Sequence, residues 1–181
     1  MSQSSPASSD SRRKFLRLSG GTVASAVLGV PAVHTSAAQK ETRLGIGIIG
    51  CGGIMHHHVK GLVGRNEDVE IPFLCDVDPG QINRIKGHVR QGFQKTPPTI
   101  TGKYEEVIRN PNVDAVIIAT PHHWHAPIAL QAMAEGKDVY IEKPISHVHR
   151  EGQMIVDAAR KYRRVVQQGS QMRSSPVTAR A

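Results

Sequence analysis

Ile46-Gly47-Ile48-Ile49-Gly50-Cys51-Gly52-Gly53 begins as a short apolar run and breaks into a cluster of glycines. A strand, a tight loop and a helix start in that order build a cradle for a dinucleotide pyrophosphate. Gly50 permits the turn, and Gly52 and Gly53 let the backbone approach the anion. The helix that follows aims its N-terminal amides at the same charge. Ile54 and Met55 complete the candidate loop, and Met55 stands where the G-x-G-x-x-G fingerprint has its third glycine. That glycine serves helix–strand packing, so Met55 bears on the seating of the helix more than on the phosphate contact.

Working outward, Asp76 closes the next apolar run, 69–75. A carboxylate there can accept both ribose hydroxyls of an adenosine and repels a 2′-phosphate. No arginine follows it, which favours NAD over NADP. Asp78-Pro79 supplies the N-cap and first residue of the following helix, which leaves Asp76 free of capping. Further along, Thr120-Pro121 ends one apolar run and Glu142-Lys143-Pro144 ends another. Both fall on the carboxyl edge of a parallel sheet, where such sheets bind their ligands.

Strands are expected at 44–49, 69–75, 99–101, 113–120, 139–141 and 165–168. Helices are expected at 53–63, 78–90, 103–109, 124–135 and 147–162, with Gly136 as a left-handed terminator. This alternation with short connections predicts an α/β fold, a doubly wound parallel sheet of the Rossmann type. The organisation expected is a leader over 1–38, a dinucleotide-binding domain over 39–168 and the start of a connecting segment over 169–181.

Of 181 residues, 39% are hydrophobic, 21% charged and 4% aromatic, which indicates a globular chain with an aliphatic core. The net charge of +8 suggests nucleic acid at first sight. Arg12, Arg13, Lys14 and Arg17 against Asp10 place +3 of it in the leader, and the rest is scattered. The one basic cluster, Arg160 to Arg164, suits a helix end, so no nucleic-acid partner is expected. His56-His57-His58 and His122, His123 and His125 are dense, but no cysteine or carboxylate joins them at ligand spacing, so no metal is expected. Cys51 and Cys75 fall on neighbouring strand ends. A disulfide there is geometrically conceivable, but the pair is read as packed thiols.

The leader runs from Ser11-Arg12-Arg13-Lys14-Phe15-Leu16 through a weakly apolar stretch, 18–33, to Ser36-Ala37-Ala38. This basic, apolar, small-residue order is that of an export signal. It is too short and too weak for a stable membrane span. Paired arginines followed by Phe-Leu closely resemble a twin-arginine signal, and imply an exported, periplasmic protein carried folded across the membrane.

With Thr120-Pro121-His122-His123-Trp124-His125 and Gly136-Lys137-Asp138-Val139-Tyr140-Ile141-Glu142-Lys143-Pro144, the resemblance becomes specific. From residue 43 to residue 176 the chain resembles the glucose–fructose oxidoreductase/inositol dehydrogenase (Gfo/Idh/MocA) family, most of all its twin-arginine-exported bacterial members. The resemblance implies NAD as cofactor and Lys143 as the catalytic cation beside the nicotinamide and the substrate carbinol. It implies that Thr120, Pro121, Trp124 and His125 line the cofactor cleft, and that Glu142 holds the nicotinamide ribose. It counts Lys143 and Pro144 among the cofactor-binding residues and makes the Lys143–Pro144 bond a candidate cis peptide. The family's second, α+β substrate domain is not expected within these 181 residues, so nucleotide binding with little or no turnover is expected of them alone. A sugar or cyclitol substrate is expected only where that domain is supplied. Two further readings stand beside the dehydrogenase. One is an NAD-dependent α-N-acetylgalactosaminidase of the same superfamily. The other is a non-catalytic nucleotide-binding remnant or subunit.

Overall fold

The computed structural model describes residues 43–90, 93–174 and 178. The leader expected over 1–38 lies outside these residues.

The chain forms six strands: β1 (Leu44–Ile49), β2 (Val69–Cys75), β3 (Thr99–Thr101), β4 (Ala115–Ile118), β5 (Asp138–Ile141) and β6 (Val166–Gln168). All pairs are parallel, and the order across the sheet is β3-β2-β1-β4-β5-β6. The helices are α1 (Met55–Val63), α2 (Pro79–Arg90), α3 (Tyr104–Ile108), α4 (His125–Ala134) and α5 (His149–Tyr162). The chain winds one way from β1 to β3 and the other way from β4 to β6. The carboxyl ends of β1 and β4 therefore diverge at a topological switch point.

Successive strand residues point to opposite faces, and the inner strands are apolar on both. Ile48 packs with Met55, Val59, Ile71, Leu74 and Ile85 beneath α1 and α2. Its neighbour Ile49 packs with Ile108, Ile118, Ile128, Met133 and Ile155 beneath α3, α4 and α5. Pro72 interrupts β2 where the β1–β2 register shifts between Gly45 and Gly47. A proline in an inner strand removes a ladder donor. Next to it, the Gln94 side chain stands in for a strand partner. It accepts from the Ile71 amide at 2.7 Å and donates to the Ile71 carbonyl at 2.9 Å.

Helix boundaries follow local chemistry. Asp78 Oδ1 accepts from the Gly80 amide at 2.7 Å, which is the cap expected of it. Gly136 ends α4 at φ +77°. All five helices start one or two residues later than expected, and at two of them the local structure gives the reason. His122–Trp124 forms a 3₁₀ turn, so α4 begins at His125. The segment before His149 is held by Glu151 Oε2, which accepts from the amides of His147 and Val148. α5 ends on Arg163 at φ 53°, a left-handed site that usually selects glycine. On the α1 side, Ile46, Leu62, Ile117, Tyr140 and Val165 line an open apolar groove of about 440 Å³. Among the described residues no helix is long and apolar enough to cross a membrane.

Candidate functional site

The switch point opens into a cleft of about 450 Å³, lined by Gly50, Gly52, Asp76, Lys103, Tyr104, Thr120, Pro121 and Trp124. Gly50 turns the chain at φ +90°, and its amide donates to the Cys75 carbonyl at 2.8 Å. A Cβ on Gly50 would lie 2.6 Å from the Ala119 carbonyl carbon, so only glycine fits between β1 and β4. At Gly52 and Gly53 the opposite holds: no atom lies within 4 Å of where a Cβ would stand. Among the described residues the amides of Gly52, Gly53 and Ile54 donate no hydrogen bond, and α1 has no side-chain cap. Orphan amides at a helix start are an anion site waiting for its acceptor.

Asp76 sits at the end of β2 as expected, but it is not free. Oδ2 accepts from the Cys51 amide at 2.6 Å and Oδ1 from the Asp78 amide at 2.9 Å. It thus braces the glycine loop against β2. Each carboxylate oxygen accepts more than one bond, so capacity for a ribose hydroxyl remains. Lys103 also lines the cleft, two residues beyond the Thr101 carbonyl that accepts from the Asp76 amide, a cation that the motifs alone did not mark. Its place just after β3, the strand next to β2, is the signal that could have found it.

Thr120 Oγ1 is buried and has no hydrogen-bond partner. A buried hydroxyl left unmatched on a ligand cleft marks a place for a polar group from outside the chain. Trp124 is 45% exposed on the rim, with the Tyr104 ring 6.2 Å away between centroids. Open space at Gly52, free amides at the start of α1, the Asp76 carboxylate and the Thr120 hydroxyl together fit a dinucleotide.

Three expected cofactor residues are placed elsewhere. Met55 is fully buried in the core beneath α1, so its side chain packs the helix and does not reach the cleft. It fills the space that a third glycine would have kept small. His125 is 1% exposed and bridges two strand ends rather than lining the cleft. Its Nδ1 lies 2.6 Å from the Pro144 carbonyl and its Nε2 2.9 Å from the Thr120 carbonyl. Glu142 is turned away to the α1 side of the sheet, where His58 Nε2 stands 2.6 Å from Oε1. Burial pushes the Glu142 carboxyl up, but hydrogen bonds from Gln171, His58 and the Lys143 amide outweigh it and hold the group below the usual range.

Lys143 follows Glu142 at the carboxyl end of β5, exposed, and is not part of the cleft lining. The Lys143–Pro144 bond is cis. Cys51 and Cys75 are free and buried, and burial followed by the Asp76 charge raises each thiol to about 12. The histidines pair off rather than converge: His56 with His88 at 5.0 Å and His122 with His147 at 4.8 Å between ring centroids. Among the described residues no three metal-ligating side chains gather.

Residues 44–170 match a family described as an oxidoreductase family with an NAD-binding Rossmann fold, GFO_IDH_MocA. An α-N-acetylgalactosaminidase of Shewanella oneidensis is 29% identical over 170 residues, covering 83% of this chain and 37% of that protein. Among solved structures, GenD2 from gentamicin A biosynthesis in complex with NAD superposes with a TM-score of 0.66 at 24% identity. That match covers 76% of this chain and 37% of GenD2. The myo-inositol 2-dehydrogenase of Lactobacillus plantarum gives a TM-score of 0.62 at 24% identity, covering 74% of this chain and 38% of that one. The chain therefore spans well under half the length of these relatives.

Proposed function

Because this chain belongs to the Gfo/Idh/MocA oxidoreductase family and is its NAD-binding domain, we propose that it serves an exported enzyme that oxidises a carbinol of a sugar or cyclitol. The observation that carries this is one juxtaposition. A glycine loop with free amides and an orphan Thr120 hydroxyl share one sheet edge with Lys143 at the end of β5.

In this reading the amides of Gly52, Gly53 and Ile54 hold the pyrophosphate, Asp76 orients the adenosine ribose and Thr120 donates to or accepts from the nucleotide. NAD, when bound, would supply the acceptor for the hydride released from the substrate carbon. Lys143 polarises the substrate oxygen and relays its proton. Substrate-holding groups are supplied by a second domain of the kind that the longer relatives have room for. Such a domain or a partner chain would share the apolar groove on the α1 side. Without one, nucleotide binding with little turnover is expected, because catalysis needs the substrate positioned against the cofactor.

Lysine labelling with and without NAD tests the role of Lys143. Lys143 should lose reactivity when NAD binds, and the distant Lys161 should not. Lys143→Ala should keep the fold, since an exposed side chain leaves no cavity, and should abolish turnover once a substrate domain is supplied. Full activity of that variant would place the catalytic group elsewhere.

The name of the 29%-identical relative supports a second reading, an NAD-dependent glycosidase that oxidises its sugar only transiently. Product analysis separates the two. Net NADH means a dehydrogenase, whereas glycoside cleavage with NAD regenerated means a hydrolase.

Export by the twin-arginine route rests on Arg12-Arg13 and the apolar stretch after them. Changing both arginines to lysine is expected to trap the protein in the cytoplasm with its leader uncleaved. Export unimpaired by that change would rule the route out.

A further inference from the structure

Glu142 is the buried carboxylate that nucleotide binding leaves without a task. It lies directly before Lys143, and 5% of its side chain is exposed. Three donors converge on it. His58 Nε2 stands 2.6 Å from Oε1, Gln171 Nε2 donates to Oε1 at 2.5 Å, and the Lys143 amide donates to Oε2 at 3.1 Å. Tyr140 packs edge-on against the His58 ring, with 5.1 Å between centroids. On the Gly169 side the packing is close: a Cβ on Gly169 would lie 2.7 Å from the Tyr140 hydroxyl and 3.2 Å from Glu142 Oε1.

A buried charge is tolerated only where hydrogen bonds replace its water, so this carboxylate is confined to one position. Its contacts join separate parts of the chain. His58 belongs to α1, the helix whose first amides face the cleft, and stands 84 residues from Glu142 in sequence. The Lys143 amide belongs to the turn that carries the reactive cation. The histidine run acquires a use by the same geometry. His56 packs on His88 of α2, His57 is exposed, and only His58 reaches under the sheet to a carboxylate.

We propose that Glu142 is a positioning residue for Lys143, clamped by His58, so that the aim of the lysine depends on the helix that receives the pyrophosphate. The proposal rests on the reading of Lys143 as the reacting cation. The effect of Glu142 on the reaction then runs through the Lys143 main chain, whose amide it accepts from at 3.1 Å. Removing His58 takes away a charge-assisted partner and leaves the carboxylate under-bonded. The turn after β5 then loses its fixed start.

Amide hydrogen exchange at Lys143 in the nucleotide-free full chain tests this, with the Ile48 amide of β1 as internal control. In His58→Leu the Lys143 amide should exchange roughly tenfold faster or more, the effect of weakening one bond to a charged group. The Ile48 amide should keep its wild-type rate. His58→Gln, which retains an N–H donor, should restore slow exchange at Lys143. Gly169→Ala crowds Glu142 without removing a donor and should speed Lys143 exchange in the same way, which covers the case of a poorly folded leucine variant. Wild-type exchange at Lys143 in a folded His58→Leu or Gly169→Ala chain overturns the proposal, as does equal acceleration at Ile48. NAD titrations of the same samples report the cofactor reading separately. Fast Lys143 exchange in the variants with no NAD binding even by wild type would sink that reading and leave the clamp standing.

Discussion

Gly50→Val is expected to abolish NAD binding and to destabilise the chain by roughly 3–5 kcal/mol, the range of backbone strain combined with core overpacking. Gly50 sits at φ +90°, where a side chain is strained whatever its surroundings. Its Cβ would also meet the Ala119 carbonyl carbon and oxygen at 2.6 Å and the Thr120 nitrogen at 2.8 Å. These are backbone atoms and cannot swing aside. β4 would have to part from β1 at the place where the Ala119 amide donates to the Ile49 carbonyl. The cleft lies between those two strand ends, so the fold and the site fail together. Gly52→Ala is the informative contrast. Nothing lies within 4 Å of its added methyl group, so stability should change little. That methyl group would occupy the space assigned to the pyrophosphate, so NAD affinity should still fall. Thermal unfolding and calorimetric titration of both variants check the pair. Tight NAD binding by Gly52→Ala would place the phosphates elsewhere.

Asp76→Ala is expected to weaken NAD about 10- to 100-fold, the value of one charge-assisted hydrogen bond, and to reduce the preference over NADP. In the intact site the carboxylate meets a 2′-phosphate with like charge. Without it, Lys103 at the end of the neighbouring strand is the charge left for a 2′-phosphate to meet. Part of the loss is indirect, since Asp76 also holds the amides of Cys51 and Asp78. Asp76→Asn separates the two contributions. It keeps an acceptor for the loop but carries no charge, so it should recover stability and still discriminate poorly. Calorimetry with both nucleotides reads the outcome. An Asp76→Asn chain that prefers NAD as strongly as wild type would assign the discrimination to another group.

Strands β1, β2, β4 and β5 were legible as short apolar runs that stop at a glycine, a proline or an acidic residue. β2 and β3 fall where expected residue for residue, while β4 is trimmed at both ends. At its start, the Val113 amide donates to the Asn110 carbonyl in a turn that continues the stop at Asn110-Pro111-Asn112. At its end, Ala119 and Thr120 lead into the cleft. Arg163 was not legible as a helix terminator, because the left-handed site gives no sign in a non-glycine residue. The glycine loop and Asp76 could be placed from sequence because a strand end and a loop define them locally. Glu142 and His125 could not. Which way a strand-end side chain turns depends on partners far along the chain: His58 for the first, the Pro144 carbonyl for the second. Met55 was legible only as a departure from a fingerprint, and its burial shows that the departure is absorbed by packing.

A titration of the chain with NAD, read through its single tryptophan, tests the cleft most directly. Trp124 lies on the cleft rim and is 45% exposed, so a nucleotide bound there must change its emission. The expected result is a saturable change at one NAD per chain, a weaker response to NADP and none in Gly50→Val. No saturable change in the wild-type chain, or an equal response from Gly50→Val, would contradict the assignment of this cleft to the dinucleotide.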